Sequence, residues 1–454
     1  MSETSDFNSS ARACLSDYER CNTLNKRYEL FNSITAENSK RYADFELERK
    51  RGFHVRMKSL LNLDKLLVDF ETNFTRLGGK ILWARDASDA KQMIYDIISS
   101  EKAEKIVKTR SNVIEEIGLY SFLESKKIHI DEINIGDFIC GLTNERPFDM
   151  HSSSAHKTSS DVASTYTEKF GAREGLKTNQ LVACTRKILS EKISKTDVVI
   201  TGCDFLCADT GSIAVADNDG AFLKSLSFAS THIVIAGIDK VISSVDSLGL
   251  LWPLSSVYEI GKDISSYYSL ISGKISDDAN LYVVLLDNGR SSILKKERQR
   301  KILACVECGA CASVCPIFSS VGGHVYQTAY PGPVGIVVNP IVKEISESAR
   351  FLSLCTLCGR CEEICPVNIP IKNLILQNRR DFVPSNSEFM NERNTYKFII
   401  NCLENRKLMD SRSFFKNLEM KQLLKKTWCA NHEMPVFAPK SFSQQYKENL
   451  AENV

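Results

Sequence analysis

Two cysteine runs with the same spacing constrain this chain more than any other feature. Each run reads C-x2-C-x2-C-x3-C-P, and the members are Cys305, Cys308, Cys311 and Cys315 with Pro316, then Cys355, Cys358, Cys361 and Cys365 with Pro366. In two-cluster ferredoxins, the first three thiolates of such a run hold one iron–sulfur cluster, and the fourth ligates the other cluster. The spacing therefore predicts two [4Fe–4S] clusters.

The crossed fourth thiolate determines the predicted ligand sets. Cluster 1 takes Cys305, Cys308, Cys311 and Cys365, and cluster 2 takes Cys355, Cys358, Cys361 and Cys315. Zinc is the first alternative, but structural zinc usually requires two C-x2-C pairs separated by a longer loop. Disulfides are the second alternative, and they require an oxidising compartment.

Compartment and partner class follow from the ends and the charges of the chain. The segment Met1–Asp6 is acidic, with no apolar stretch behind it, so it does not resemble a secretory signal. No stretch approaches the ~20 apolar residues of a membrane-spanning helix. We therefore expect a cytoplasmic protein with no transmembrane segment. The 58 basic and 56 acidic residues leave a net charge of +2, which gives no reason to expect nucleic-acid binding.

Two further patterns carry both a functional and a structural interpretation. Cys203 and Cys207 form a C-x3-C pair in an apolar setting, which fits a redox or ligand role but is also typical of small buried side chains. The segment from Lys40 to Lys58 is basic, and a solvated helix face explains it better than a patch for a partner or membrane.

Hydrophobic periodicity predicts an α/β fold between two helical regions. Helical spacing extends from about Tyr28 to the Gly78-Gly79 pair. Short apolar strands then alternate with amphipathic stretches such as Ala87–Ser99 and Ser160–Phe170, which predicts a largely parallel, buried sheet. The predicted strands are Ile81–Trp83, Lys105–Val107, Asp197–Ile200, Ser212–Val215, His232–Ala236 and Leu281–Leu286.

Four regions result from this pattern. We expect a helical region over 1–78, an α/β domain over 79–292, an α-helical two-cluster domain over 293–385 and a helical tail over 386–454. Within the cluster domain, the segment Tyr330–Gly335 is predicted to be turn-rich, and Ile341–Leu354 is predicted to be helical.

Longer segments around the cysteines resemble the lactate utilization protein B family. The resemblance is carried by Cys305–Ile317, Gly322–Tyr326, Tyr330–Gly335 and Ser353–Pro366, with further matches at Leu61–Leu66, Ile106–Ser111, Thr201–Phe205, Ala236–Val241 and Asp287–Arg290. It implies a LUD domain, related to ribose-phosphate isomerase and CoA transferases, followed by an α-helical ferredoxin-type domain. It also implies two partners, which are a heterodisulfide-reductase-like cysteine-rich subunit and a lone LUD-domain protein. The resemblance further implies that the three proteins together convert L-lactate to pyruvate.

Three loops depart from the pattern of that family. Arg110-Ser111-Asn112 replaces the usual Lys-Ser-Met, Phe148-Asp149 replaces a Ser-His, and Asn218–Ala221 replaces Asn-Glu-Gly-Asn. If these loops line a pocket, the chain is expected to prefer another hydroxy acid or to have lost binding there.

Candidate catalytic residues follow the second predicted strand, where ligands commonly bind in open α/β sheets. Lys108 or Arg110 is placed to bind a carboxylate, and Glu115 and Glu116 form a candidate acid–base pair. The alternative is that the two glutamates open a helix and favour its dipole. His156 and His324 are more often structural. No G-x-G-x-x-G opens a βαβ unit, so no nicotinamide or flavin site is visible.

Three functional hypotheses remain. The first is an iron–sulfur electron-transfer subunit of a cytoplasmic complex that oxidises L-lactate to pyruvate. The second makes the chain itself a 2-hydroxy acid dehydrogenase that uses its LUD pocket. The third is a non-catalytic iron–sulfur scaffold or redox sensor.

Overall fold

The computed structural model describes residues 2–149, 151–259, 265–342 and 351–382, isolated positions between 394 and 407, and residues 440 and 442–452. The chain divides into two compact units, Met1–Asn378 and Arg379–Val454. In the second unit, one helix spans Phe442–Glu452, and Lys440 pairs with Glu448 at 2.5 Å. Most of the tail predicted to be helical lies outside the described residues. No described helix is long and apolar enough to cross a membrane.

Four helices precede the first strand, which confirms the helical pattern from Tyr28 and extends it to Ser2. They are α1 (Ser2–Ser16), α2 (Tyr18–Ser39), α3 (Phe45–Leu61) and α4 (Leu63–Arg76). Asp17 and Asp44 cap α2 and α3, because their carboxylates accept hydrogen bonds from backbone N–H groups of the first turn. Gly78, which follows α4, has φ +84°, so the helix ends where the glycine pair predicted.

The strands form two sheets. In chain order they are β1 (Lys80–Ala84), β2 (Ile106–Lys108), β3 (Ile130–Glu132), β4 (Val198–Thr201), β5 (Phe205–Cys207), β6 (Ser212–Asp217), β7 (Thr231–Gly237), β8 (Val241–Ile242), β9 (Tyr267–Ile271) and β10 (Asn280–Leu286). The larger sheet has the order β1-β10-β7-β4-β2-β3, and all its pairings are parallel. The predicted α/β fold with a parallel sheet is therefore confirmed.

One predicted strand lies elsewhere. Ser212–Val215 belongs to β6 in the smaller sheet, whose order is β8-β5-β6-β9, and β6 pairs antiparallel with both neighbours. Only four residues connect β5 to β6, and a connection this short permits antiparallel pairing alone. The prediction that this strand shares the parallel sheet is wrong.

Helices cover the larger sheet and connect its strands. Those before β7 are α5 (Ala87–Ser100), α6 (Asn112–Glu116), α7 (Leu119–Ser125), α8 (Ile135–Leu142), α9 (Ser159–Phe170), α10 (Thr178–Ile193) and α11 (Ala221–Leu226). One sheet face, with Ile106, Ile200 and Ile233, packs on α5, α6 and α7. The other face, with Val107, Val199 and Val234, packs on α4 and the smaller sheet. The period of two along each strand therefore places both faces in core.

The cluster region is built from short helices. After α12 (Leu248–Glu259) come α13 (Arg290–Lys295), α14 (Ala310–Ser313), α15 (Pro316–Val321), α16 (Gly332–Val342), α17 (Arg360–Glu363) and α18 (Ile371–Phe382). Helix α16 begins at Gly332, so the turn predicted over Tyr330–Gly335 is wrong from that residue on. Pro333 fits the first helical turn, where its missing N–H costs nothing. The helix predicted over Ile341–Leu354 lies mainly outside the described residues.

His232 on β7 predicts an acid-sensitive fold. Burial lowers its pKa to about 3, against about 6.5 in an unfolded chain. Above about pH 6.5 the histidine is neutral in both the folded and the unfolded chain, so the free energy of unfolding has its full value. Below that pH the unfolded chain binds a proton that the folded chain does not, and the free energy of unfolding falls by about 1.4 kcal/mol per pH unit until the pH approaches the folded pKa. We expect His232→Gln to flatten the fall of the free energy of unfolding below pH 6.5. Urea unfolding at successive pH values tests this, and parallel curves for the two proteins would contradict it.

Candidate metal centre

The two cysteine runs fold into the same turn, repeated with an offset of fifty residues. Glu307 and Leu357, at matching positions, have left-handed φ angles of 58° and 60°, and Gly309 and Gly359 have φ 73° and 86°. The N–H of Glu307 donates to Sγ of Cys305 at 3.3 Å, and that of Leu357 donates to Sγ of Cys355 at 3.3 Å. Backbone N–H groups directed at sulfur are typical of cluster-binding loops, where they tune the reduction potential.

The fourth cysteine of each run lies beside the other run. Burial raises the pKa of Cys311, and among the neighbouring thiols that raise it further is Cys365. Burial likewise raises the pKa of Cys315, and its neighbouring thiols are Cys355 and Cys358. The crossed ligand sets require this placement, although the assignment of each thiolate to a cluster stays a prediction.

The donor set fits an iron–sulfur cluster. Buried thiols gathered this closely keep their protons unless a cation compensates the thiolate charge, and iron supplies that compensation. The N–H of Ile369 donates to Sγ of Cys365 at 3.4 Å, so a fourth ligand also accepts from the backbone. In the described part of the chain, no three His, Cys, Asp or Glu side chains converge tightly enough to hold a single metal ion.

Two buried arginines on α3 hold the cluster region from outside the cysteine runs. Arg49 donates to the backbone oxygens of Cys365 at 2.7 Å and Glu362 at 3.2 Å. Arg56, which is 0% exposed, donates to the oxygen of Leu303 at 2.9 Å. Both belong to the basic segment that the sequence placed on a solvated helix face, so that prediction is wrong for these two. The sequence did contain an indication of their shared burial, because two residues that are seven positions apart lie on the same face of a helix.

Glu307 connects the turn of the first cysteine run to the α/β domain. Its carboxylate accepts from Nζ of Lys240 at 2.6 Å and Nδ2 of Asn112 at 2.8 Å, and its backbone oxygen lies 2.8 Å from Nε2 of His151. Burial favours a higher pKa for Glu307, but Lys240 outweighs it and holds the pKa below its usual value. The carboxylate is therefore charged and fixed.

A polar cavity of about 470 Å³ lies where strands β2, β3, β4 and β7 end. Its wall includes the loop segments Thr109–Asn112, Asn134–Asp137, Gly202–Asp204 and Asp217–Asp219, together with Lys240, Val306 and Glu307. Burial and the neighbouring Asp219 raise the pKa of Asp217 to about 6. Two of the three loops that depart from the family pattern, at Arg110 and Asn218, line this cavity.

A second cavity, of about 430 Å³, continues from the first towards Cys308 and Gly309. The two share Arg27, His151, Ser152 and Asn218 in their walls, and the second adds the apolar side chains of Leu24, Tyr28, Phe31 and Phe318. We call the two cavities together the chamber. It extends from the ends of the parallel strands to the turn that carries Cys308.

Lys108, Glu115 and Glu116 do not line the chamber. Lys108 is 2% exposed, and its Nζ pairs with Glu115 at 3.0 Å and with Glu132. Burial alone would lower the pKa of Lys108, but these carboxylates raise it. Glu116 pairs with Arg290 at 2.8 Å. Glu115 lies in the first turn of the five-residue helix α6, and Glu116 is the last residue of that helix, so the alternative that the glutamates favour the helix dipole stays open. Their catalytic role stays a prediction.

The remaining candidates have structural surroundings. The rings of His156 and His324 stack 5.2 Å apart beside Phe148, and Nε2 of His156 lies 2.7 Å from Glu145. Burial raises the pKa of the Cys207 thiol to about 12 and also raises that of Cys203, so both thiols stay protonated. The described cysteines form no disulfide bond.

Comparison with known proteins identifies the family. The family model described as LUD domain matches residues 67–290, and that of the 4Fe-4S dicluster domain matches residues 301–369. Lactate utilization protein B of Bacillus licheniformis is 31% identical over 353 residues, which cover 76% of this chain and 74% of that relative. The chain belongs to the lactate utilization protein B family. Lactate utilization protein B 2 of Bacillus mycoides is 32% identical and covers 75% of this chain and 72% of its own length.

The comparisons also define the cofactor of this family member. The dicluster domain includes all eight cysteines of the two runs, so the chain carries two [4Fe–4S] clusters. A solved structure, that of a DUF162 family protein from Deinococcus radiodurans, is 14% identical and covers 49% of this chain and 98% of its own, with a TM-score of 0.29.

Proposed function

We propose that this chain is an iron–sulfur electron-transfer subunit of a cytoplasmic complex that oxidises L-lactate to pyruvate. Its partners are a heterodisulfide-reductase-like cysteine-rich subunit and a lone LUD-domain protein. The observation that carries the proposal is the pair of matching cysteine turns, with Cys365 beside Cys311 and Cys315 beside Cys355. Two one-electron centres held by neighbouring turns would support a relay. The choice of lactate as the proposed substrate rests on the names of the relatives, which are lactate utilization proteins.

The residues of the chain set the properties of that relay. The clusters supply the one-electron redox chemistry, and the protein supplies their ligands, their orientation and the exclusion of water. Cys308 packs at the first cysteine turn in a hydrophobic group with Val257, Tyr258 and Ala310. Arg49 fixes the loop before Pro366 through the oxygen of Cys365.

A second candidate function rests on the chamber. If the chain itself oxidises a 2-hydroxy acid, the substrate must lie near a cluster and near a proton acceptor. The chamber meets both conditions, because its wall includes the turn at Val306–Gly309 and also Asp217, whose pKa is about 6. Arg27, which also lines it, carries the charge that a substrate carboxylate needs, whereas Arg110 in the same wall is already paired with Asp137 at 2.5 Å.

Cluster reduction by L-lactate separates these functions. The chain is purified without oxygen, its iron and sulfide are quantified, and EPR spectra are recorded after L-lactate is added, first to the chain alone and then with both partners. We expect about eight irons per chain and a reduced-cluster signal only when the partners are present. The control is the double variant Cys308→Ala/Cys358→Ala, which lacks one ligand of each cluster. In the same mixture, any EPR signal that remains with this variant belongs to the partners.

Each other outcome has a defined meaning. Reduction of the chain by L-lactate alone would replace the relay with the dehydrogenase that uses the chamber. If wild-type clusters stay oxidised with both partners and L-lactate, the electron-transfer proposal fails, and a scaffold or a different substrate takes its place.

A further inference from the structure

The two cysteine turns have the same backbone but different surroundings. Cys308, the second cysteine of the first run, is 7% exposed and belongs to a hydrophobic group, whereas the matching Cys358 is exposed. The two predicted ligand sets differ in burial as well. In the set of cluster 1, three cysteines are buried, namely Cys308, Cys311 and Cys365. In the set of cluster 2, Cys361 alone is buried.

The residue just before the second cysteine of each run shows the same difference. Glu307 anchors the first turn to Lys240 and Asn112. Its counterpart Leu357 has the same left-handed backbone but an apolar side chain, which cannot form such contacts. The α/β domain thus encloses the first turn, and Leu357 cannot anchor the second turn in the same way.

The second turn presents a polar surface around its exposed thiol. Thr356, Cys358 and Arg360 are all exposed, and they alternate along the turn with half-buried Leu357 and buried Gly359. Nζ of Lys372 lies 3.8 Å from the position that a Cβ on Gly359 would occupy, which brings a second cation to this edge. We call Cys355–Cys361 with Lys372 the exchange surface. Electron-transfer encounters between proteins bury little area, so they do not require an extended interface.

We propose that the exchange surface is where a partner protein with a one-electron redox centre docks. This inference rests on the proposed electron-transfer function. It adds which surface of the chain exchanges electrons with another protein. One electron leaves the reduced cluster 2 and reduces the centre of the partner. Arg360 and Lys372 favour a partner whose contacting surface is acidic, because opposite charges accelerate association.

The test compares a protein acceptor with a small one. The two-cluster chain is reduced by dithionite, freed of excess reductant and mixed with oxidised cytochrome c or with ferricyanide, while the cluster absorbance is followed. Thr356→Trp adds a large side chain beside Cys358, and Thr75→Trp makes the same change at an exposed threonine of α4. We expect Thr356→Trp to slow oxidation by cytochrome c about tenfold, within the range of association-rate changes at one interface. Ferricyanide should oxidise all three proteins at similar rates.

Iron and sulfide content accompany each variant. If Thr356→Trp loses iron, Arg360→Glu replaces it. Because cytochrome c is basic, this charge reversal should accelerate the reaction at low salt, and the gain should disappear at high salt. Unchanged cytochrome c rates in a variant that retains both clusters would overturn the exchange surface. These mixtures contain neither lactate nor partner subunits, so that result is distinct from a failure of the proposed function, which the lactate experiment reports.

Discussion

Alanine in place of Cys365 is expected to damage the cluster of the first cysteine run, although Cys365 belongs to the second. Cys365 lies with the thiols that surround Cys311, and Cys315 lies with Cys355 and Cys358. Loss of one thiolate removes one cluster, so iron should fall from about eight to about four per chain. Electron transfer through the variant chain should stop, because only one of the two clusters remains.

EPR spectra identify which cluster each cysteine holds. The spectrum of reduced Cys365→Ala should match that of Cys311→Ala, and the spectrum of Cys315→Ala should match that of Cys361→Ala. Cys207→Ala is the control, because this buried cysteine lies outside both runs and should retain both clusters. If Cys365→Ala instead matches Cys361→Ala, each run holds its own cluster and the crossed ligand sets are wrong.

Local spacing made the clusters predictable from the sequence. Three of the four predicted ligands to each cluster are close in the chain, so the eight cysteines follow a pattern of a few residues in each run. The strands were predictable for a related reason, because their period of two places alternate residues on the two buried faces. Residues adjacent in the sequence determined both features.

Contacts between distant segments were not predictable in this way. The pairing of Lys240 with Glu307 depends on how the end of β7 meets the first cysteine turn, and nothing in either local sequence specifies that meeting. Arg49 and Arg56 look like members of a solvated basic face until the cluster domain covers them. The position of the cavity follows the general rule that ligands bind at the carboxyl ends of parallel strands. Its polar lining, however, comes from loops that follow four different strands.

A buried ion pair gives the largest expected stability effect. Arg290 donates to Glu116 at 2.8 and 2.9 Å and to Asp239 at 2.6 Å, and the exposed fractions of these three side chains are 8%, 2% and 12%. The hydroxyl of Tyr330 also donates to Glu116 at 2.6 Å, which joins the cluster domain to the α/β domain. Gly237 makes room for the network, because a Cβ there would lie 2.4 Å from Nε of Arg290.

Arg290→Met is expected to lower the free energy of unfolding by about 3–5 kcal/mol, the usual cost of breaking a buried ion pair. The substitution preserves most of the side-chain volume but leaves the carboxylates of Glu116 and Asp239 buried without their cation. Urea unfolding of the two-cluster protein under anaerobic conditions measures the change. Arg85→Met, which removes an arginine from the exposed pair with Asp89, is the matched control and should not change the midpoint. Equal midpoints for Arg290→Met and the wild type would show that the network adds nothing to stability.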